Sequence, residues 1–135
     1  MTNKITVTPC SGIGKSLGSV AREAAYVVSQ DLCPEKTQIV PLSLLVQGDA
    51  DARRELAGAP AIAIDGCKLE CAAKGLAAAG AAQVIKVPVF DVLRRHRGLK
   101  PEGITELNSD GQRLAREVAR ETSEIIRQID EEGRA

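Results

Sequence analysis

Four short apolar runs separated by helix-patterned stretches set the tightest limit on how this 135-residue chain can fold. Ile5-Thr6-Val7-Thr8 has the β-branched content of a strand, and Thr37-Gln38-Ile39-Val40, Ala61-Ile62-Ala63-Ile64 and residues 83–89 repeat the signal. After the first run, Leu17, Val20, Ala21, Ala24, Val27 and Val28 recur at helical spacing, which predicts a helix ending near Leu32-Cys33-Pro34. Residues 42–46 read equally as strand continuation or helix, and Asp49 offers an N-cap for a short helix over 50–56. An alanine-rich helical pattern follows the third run to Gly80. A long amphipathic helix is expected over about 110–132, its stripe made by Leu114, Val118, Ile125, Ile126 and Ile129. That stripe reads as packing against the sheet, with a homodimer seam as the alternative.

Strand followed by helix, repeated, is the signature of a parallel sheet covered on both faces. The expected fold is therefore α/β, a three-layer Rossmann-like sandwich with a mainly parallel sheet of about four strands. A chain of this length makes one domain, 1–135, with room for a core. With Tyr26 and Phe90 its only aromatics, that core must be built from Ala, Val, Ile and Leu.

Composition narrows the function classes. Eighteen basic residues balance eighteen acidic ones, so no bulk field draws the chain to nucleic acid or anionic lipid. The scarcity of aromatics also removes the stacking platforms of single-strand binders. No apolar run approaches the length of a membrane span, and Met1-Thr2-Asn3-Lys4 leads straight into a strand pattern with no signal-peptide core. A cytoplasmic protein is expected. In that compartment thiols stay reduced, so four cysteines point to metal binding or catalysis rather than to a disulfide framework.

The chemistry concentrates at Asp65-Gly66-Cys67-Lys68-Leu69-Glu70-Cys71, where the third run ends. Asp65 is expected to cap the following helix, with Gly66 turning the chain and Cys67 in the first helical turn. Cys67 and Cys71 would then share one helix face, about 6 Å apart along the axis. A helix N-terminus stabilises thiolates, and two of them can grip a metal ion or act together in redox chemistry. Ligands of open parallel sheets bind at the carboxyl ends of the strands. Cys10 ends the first strand and Cys67 follows the third, so both fall on that edge with Cys71. Cys33 follows the first helix, which carries it roughly 24 Å back to the opposite edge. A three-cysteine cluster of Cys10, Cys67 and Cys71 is the result. Cysteines are also small hydrophobes, a description that suits Cys33. Thiolates suit zinc, or an iron–sulfur cluster less well.

The loop Pro9-Cys10-Ser11-Gly12-Ile13-Gly14-Lys15-Ser16 bears three readings. It nearly matches the phosphate-binding pattern G-x-x-x-x-G-K-[ST], with Pro9 in place of the first glycine. A strand, then Cys-Ser-Gly-x-Gly, then a helix also resembles the phosphocysteine loop of the B subunits of the bacterial sugar phosphotransferase system. That would make Cys10 a nucleophile in an anion cradle of Gly12, Gly14, Lys15 and Ser16. In the third reading the glycines only let the helix pack close to the sheet. His96, the single histidine, lies in a basic cluster with Arg94, Arg95 and Arg97 that reads as a solvated loop or as an anion attractor over the cysteine edge.

Taken together, Ile64 to Ala72 resembles the signature of the DGC-domain family, named for its Asp-Gly-Cys motif. The likeness extends through Pro9-Cys10-Ser11-Gly12, Arg22-Glu23-Ala24-Ala25, Asp91-Val92 and Pro101-Glu102-Gly103-Ile104. The resemblance implies a zinc site of four cysteines, three of which carry over as Cys10, Cys67 and Cys71. The fourth position, just after the second strand, holds Pro41 here. Ser43, Asp65, His96 or a water would complete the shell instead, or an open position would serve metal delivery, sensing or thiol chemistry. A protein partner giving or taking the metal or a thiol is then expected.

Overall fold

A computed structural model describes residues 4–10, 14–56 and 59–134. The chain runs β1 (Ile5–Pro9), α1 (Ser16–Tyr26), β2 (Thr37–Ile39), α2 (Leu42–Gln47), α3 (Ala50–Leu56), β3 (Pro60–Asp65), α4 (Cys71–Ala78), β4 (Gln83–Pro88), α5 (Val89–Arg95) and α6 (Ser109–Arg134). The helix after β1 ends at Leu32, near the point its pattern predicts, but its last six residues, Val27–Leu32, widen into a π-helix. The wide turn closes where the Cys33 amide donates to Val28 O at 2.7 Å. The ambiguous stretch after β2 is helical. Gly48, at φ 76°, ends α2 in the left-handed conformation that glycine adopts without strain. Asp49 caps α3, accepting the Ala52 amide at 2.9 Å.

The strands form one all-parallel sheet in the order β2-β1-β3-β4. β1 and β3 are central and buried on both faces, which is why they read as unbroken apolar or β-branched runs. The edges are protected differently: β2 has three residues, and β4 is half-exposed with Lys86 on it. The chain moves one way across the sheet from β1 to β2, then the other way to β3 and β4. Right-handed crossovers put the connections of those two movements on opposite faces. Accordingly α1 packs with α5 and α6, while α4 packs with α2. This is the three-layer sandwich expected from the sequence.

The stripe of α6 is inward. Leu114, Val118 and Ile126 are fully buried, while Ile125 and Ile129 are partly so. They lie against α1, its π-helical end and α5. Thr122, also fully buried, returns its hydroxyl to Val118 O at 2.8 Å. Among the described residues, every buried side-chain nitrogen or oxygen has a partner.

Because the direction of travel reverses after β2, the carboxyl ends of β1 and β3 diverge into connections on opposite faces. That crevice is the ligand position of doubly wound sheets. Cys10 follows β1 there, and the Asp65–Cys71 segment follows β3.

Candidate functional site

The turn after β3 is held by its own side chains. Asp65 is 5% exposed, and its carboxylate accepts the Ala72 amide at 2.8 Å and the Ala73 amide at 3.1 Å. The Cys71 amide donates to Cys67 Sγ, and the Lys74 amide begins the helical ladder on Glu70 O at 2.9 Å. The first three amides of α4, orphaned in a bare helix, are thus all satisfied from residues 65 and 67. Cys67 therefore sits in the turn, not in the helix as its spacing suggested. The reason is Glu70, which at φ 56° interrupts any helix before Cys71. Its carboxylate is held by Lys86 of β4 at 2.7 Å. Asp65 caps as expected, but from seven residues away.

Gly66 is required by contact rather than by an unusual backbone. A Cβ at this position would stand 2.3 Å from Leu17 O and 2.7 Å from Gly18 N, so the turn lies directly on the first turn of α1. The same closeness lets the Gly66 amide donate to Cys10 Sγ at 3.1 Å. Cys10 is 1% exposed, with its own amide donating to Ile64 O at 2.9 Å. Cys10 and Cys67 therefore bracket Gly66.

The sulfurs of Cys67 and Cys71 are 3.8 Å apart. Burial pushes the Cys67 thiol up, but the Cys71 amide, the Cys71 thiol and the Leu69 amide together hold it below its ordinary value. The Cys71 thiol is pushed up by its hydrogen bond to Cys67, then by burial, then by negative charge at Cys67, Asp65 and Cys10. Burial also raises the Asp65 carboxyl, against the lowering from its two amides. Within the pair, Cys67 is thus the more acidic thiol and Cys71 the less acidic one. Among the described residues, no three of His, Cys, Asp and Glu gather closely enough to form a ready-made metal set.

The remaining candidates are distributed as follows. Cys33 precedes β2 at the amino edge of the sheet, beside Lys36 and Arg127, and burial raises its pKa. Pro41 follows β2 at the carboxyl edge and opens α2. Asp65 has both carboxylate oxygens engaged by amides, and His96 Nε2 faces Glu117 of α6 at 3.7 Å. Arg95 pairs with Glu121 of α6, so part of the basic cluster is structural. Gly14 is at φ 87° and Lys15 precedes α1 with no side-chain cap. Lys15 and Ser16 line a cleft that reaches Cys67. Gly12 lies outside the described residues.

Sequence reasoning missed Phe90. Its ring carries Lys68 Nζ at 5.0 Å and Arg94 Cζ at 4.6 Å, which places two cations beside Cys67. The available signal was that Phe90 is one of only two aromatics, set among basic residues just after a strand.

Fold and turn define a doubly wound parallel-sheet protein with a close thiol pair at the switch point. Its family follows from comparison: the family model of the DGC domain matches residues 6–110, and the chain belongs to that family. The match contains Cys10 and the whole Asp65–Cys71 turn and stops as α6 begins. Comparison with curated proteins and with solved structures found no match. No helix among the described residues is long and apolar enough to cross a membrane.

Proposed function

We propose that this DGC-domain chain is a cytoplasmic zinc-binding protein that holds its metal on the thiolates of Cys67 and Cys71, with Cys10 as third ligand. The observation that carries the reading is the spacing of the pair. Tetrahedral zinc with bonds of about 2.3 Å separates its sulfurs by about 3.8 Å. The Cys67–Cys71 sulfur distance is 3.8 Å, the same spacing. Local electrostatics support the same reading, since α4's N-terminus and the amides of Cys71 and Leu69 favour negative sulfur. Cys10, fastened to the neighbouring Gly66 amide, is the nearest further thiol. Three protein ligands with one position left open is an established zinc arrangement, and it is the one these three cysteines would supply.

The chain's own residues have separate tasks in this account. Asp65 fixes the head of α4 through the Ala72 and Ala73 amides. Gly66 holds the turn against α1. Lys15, Ser16 and Lys68 form the approach to Cys67. Bound there, zinc would supply a Lewis-acidic centre with one open position, suited to transfer to or from a protein partner. The rival reading, a phosphoryl group on Cys10, is less well supported. That sulfur is 1% exposed and accepts the Gly66 amide, which leaves it little room for a phosphoryl group.

Cobalt(II) titration of the reduced protein tests the proposal. An intense sulfur-to-cobalt charge-transfer absorption is expected, lost in Cys67→Ser and Cys71→Ser and kept in Cys33→Ser. Persistence of that absorption in both site variants would place the metal elsewhere and overturn the reading.

A further inference from the structure

Cys67 and Cys71 differ in their surroundings: Cys71 is open to solvent, whereas Cys67 is half-buried where a ligand could be held. Cys67 lines two clefts, of about 580 Å³ and about 330 Å³, and Cys71 lines neither. The larger cleft has an apolar wall of Leu69, Phe90, Leu93 and Pro101, with Lys15 and Lys68 as its only charged lining among the described residues. Lys68 is held over the Phe90 face, which keeps one positive charge beside Cys67. Leu69 is 68% exposed, so the entrance is open. Cys71 waits at 3.8 Å from the sulfur that a visitor would meet. Cys10 lines neither cleft.

From this placement we infer a second activity: in its metal-free form the chain reduces small anionic disulfides, with Cys67 as the attacking thiol and Cys71 as the resolving one. The Cys67 thiolate attacks one sulfur of RS–SR. A Cys67–SR bond forms, and RS⁻ leaves with the bonding pair and takes a proton from water. Cys71 gives its proton to water and attacks Cys67 Sγ. The second RS⁻ leaves, and the Cys67–Cys71 disulfide remains. The substrate gains two electrons and the dithiol loses two, so no further reactant is needed. Closing the pair brings the sulfurs from 3.8 Å to about 2.05 Å, the length of the new bond. The apolar wall accommodates the carbon chain of the substrate, and Lys15 and Lys68 select its negative charge. This inference does not rest on the zinc reading, although bound metal would block the reaction.

The test uses chelator-treated, reduced Cys33→Ser protein, mixed separately with 3,3′-dithiodipropionate and with the neutral bis(2-hydroxyethyl) disulfide. The dianion is expected to react roughly tenfold faster at low salt, with the preference lost at high salt and in a Lys15→Gln, Lys68→Gln variant. Mass spectrometry should find Cys67 joined to Cys71, and Cys71→Ser should accumulate the mixed disulfide on Cys67. Equal rates for the two probes would overturn the substrate class. An adduct on Cys71 or Cys10 in place of Cys67, or a mixed disulfide that persists with both thiols present, would overturn the mechanism. Because metal is absent throughout, these outcomes are separate from the cobalt result.

Discussion

Replacing Gly66 with alanine tests the link between packing and site more sharply than removing any sulfur. The added Cβ would lie 2.3 Å from Leu17 O, 2.5 Å from Leu17 C and 2.7 Å from Gly18 N. Ordinary contact begins near 3.4 Å, so the worst overlap is 3.4 − 2.3 = 1.1 Å. All three atoms are backbone, in the first turn of a helix that packs on β1, β3 and α6. No rotamer change can relieve the overlap; either α1 or the turn must move by about an ångström. Overpacking of this kind costs about 3 kcal/mol, the upper end of its usual range. The displacement also pulls the Gly66 amide away from Cys10 Sγ, so the site should loosen with the fold. Urea unfolding measures the first effect and competition with a zinc chelator the second. A loss of about 3 kcal/mol with at least a tenfold drop in zinc affinity is expected. A loss below about 0.5 kcal/mol, as at an unconstrained surface position, with affinity unchanged would refute the close-approach argument.

Three further predictions concern the same elements. Asp65→Ala leaves the Ala72 and Ala73 amides without their acceptor and should cost about 2 kcal/mol in urea unfolding, with Asp65→Asn costing less; equal losses in the two variants would contradict the capping account. Iodoacetamide should modify Cys67 first and Cys71 next, with buried Cys10 and Cys33 reacting only on unfolding, and peptide mapping that found Cys33 ahead of Cys67 would oppose the assigned electrostatics. Burial raises the Cys33 pKa above its unfolded value, so above the ordinary thiol range the folded chain holds more protons than the unfolded one. The stability from that group is intact below the unfolded pKa and is lost as pH rises. Between roughly pH 8 and pH 10 the urea midpoint of the wild type should therefore fall more than that of Cys33→Ser, and parallel falls would remove Cys33 as the cause.

Much of the fold was legible because it rests on local pattern. The runs of β1 and β3 carry the buried, two-sided character of central parallel strands, and the parallel sheet with its carboxyl-edge site followed from the alternation of strand and helix, whereas the strand order that makes the switch point did not. What the sequence concealed depends on contacts between distant residues. Glu70 adopts a left-handed conformation while its side chain pairs with Lys86, sixteen residues on, and nothing near Glu70 in the chain announces the break. Residues 42–46 are apolar on every position but one, so periodicity could not separate strand from helix until Gly48 closed α2. Phe90 becomes part of the site only when β4 brings it beside Lys68. The Cys67–Cys71 pairing was anticipated for the wrong local reason. The sulfurs meet through a turn that Asp65 and Cys67 pin to α4, rather than through shared helix spacing.

Zinc content of protein purified without oxygen, compared across wild type and the four single Cys→Ser variants, tests the central claim most directly. The account predicts about one zinc per chain in wild type and in Cys33→Ser, with the metal lost from Cys67→Ser and Cys71→Ser and weakened in Cys10→Ser. Wild-type protein without zinc under these conditions, or retention of the full complement by Cys67→Ser and Cys71→Ser, would contradict it.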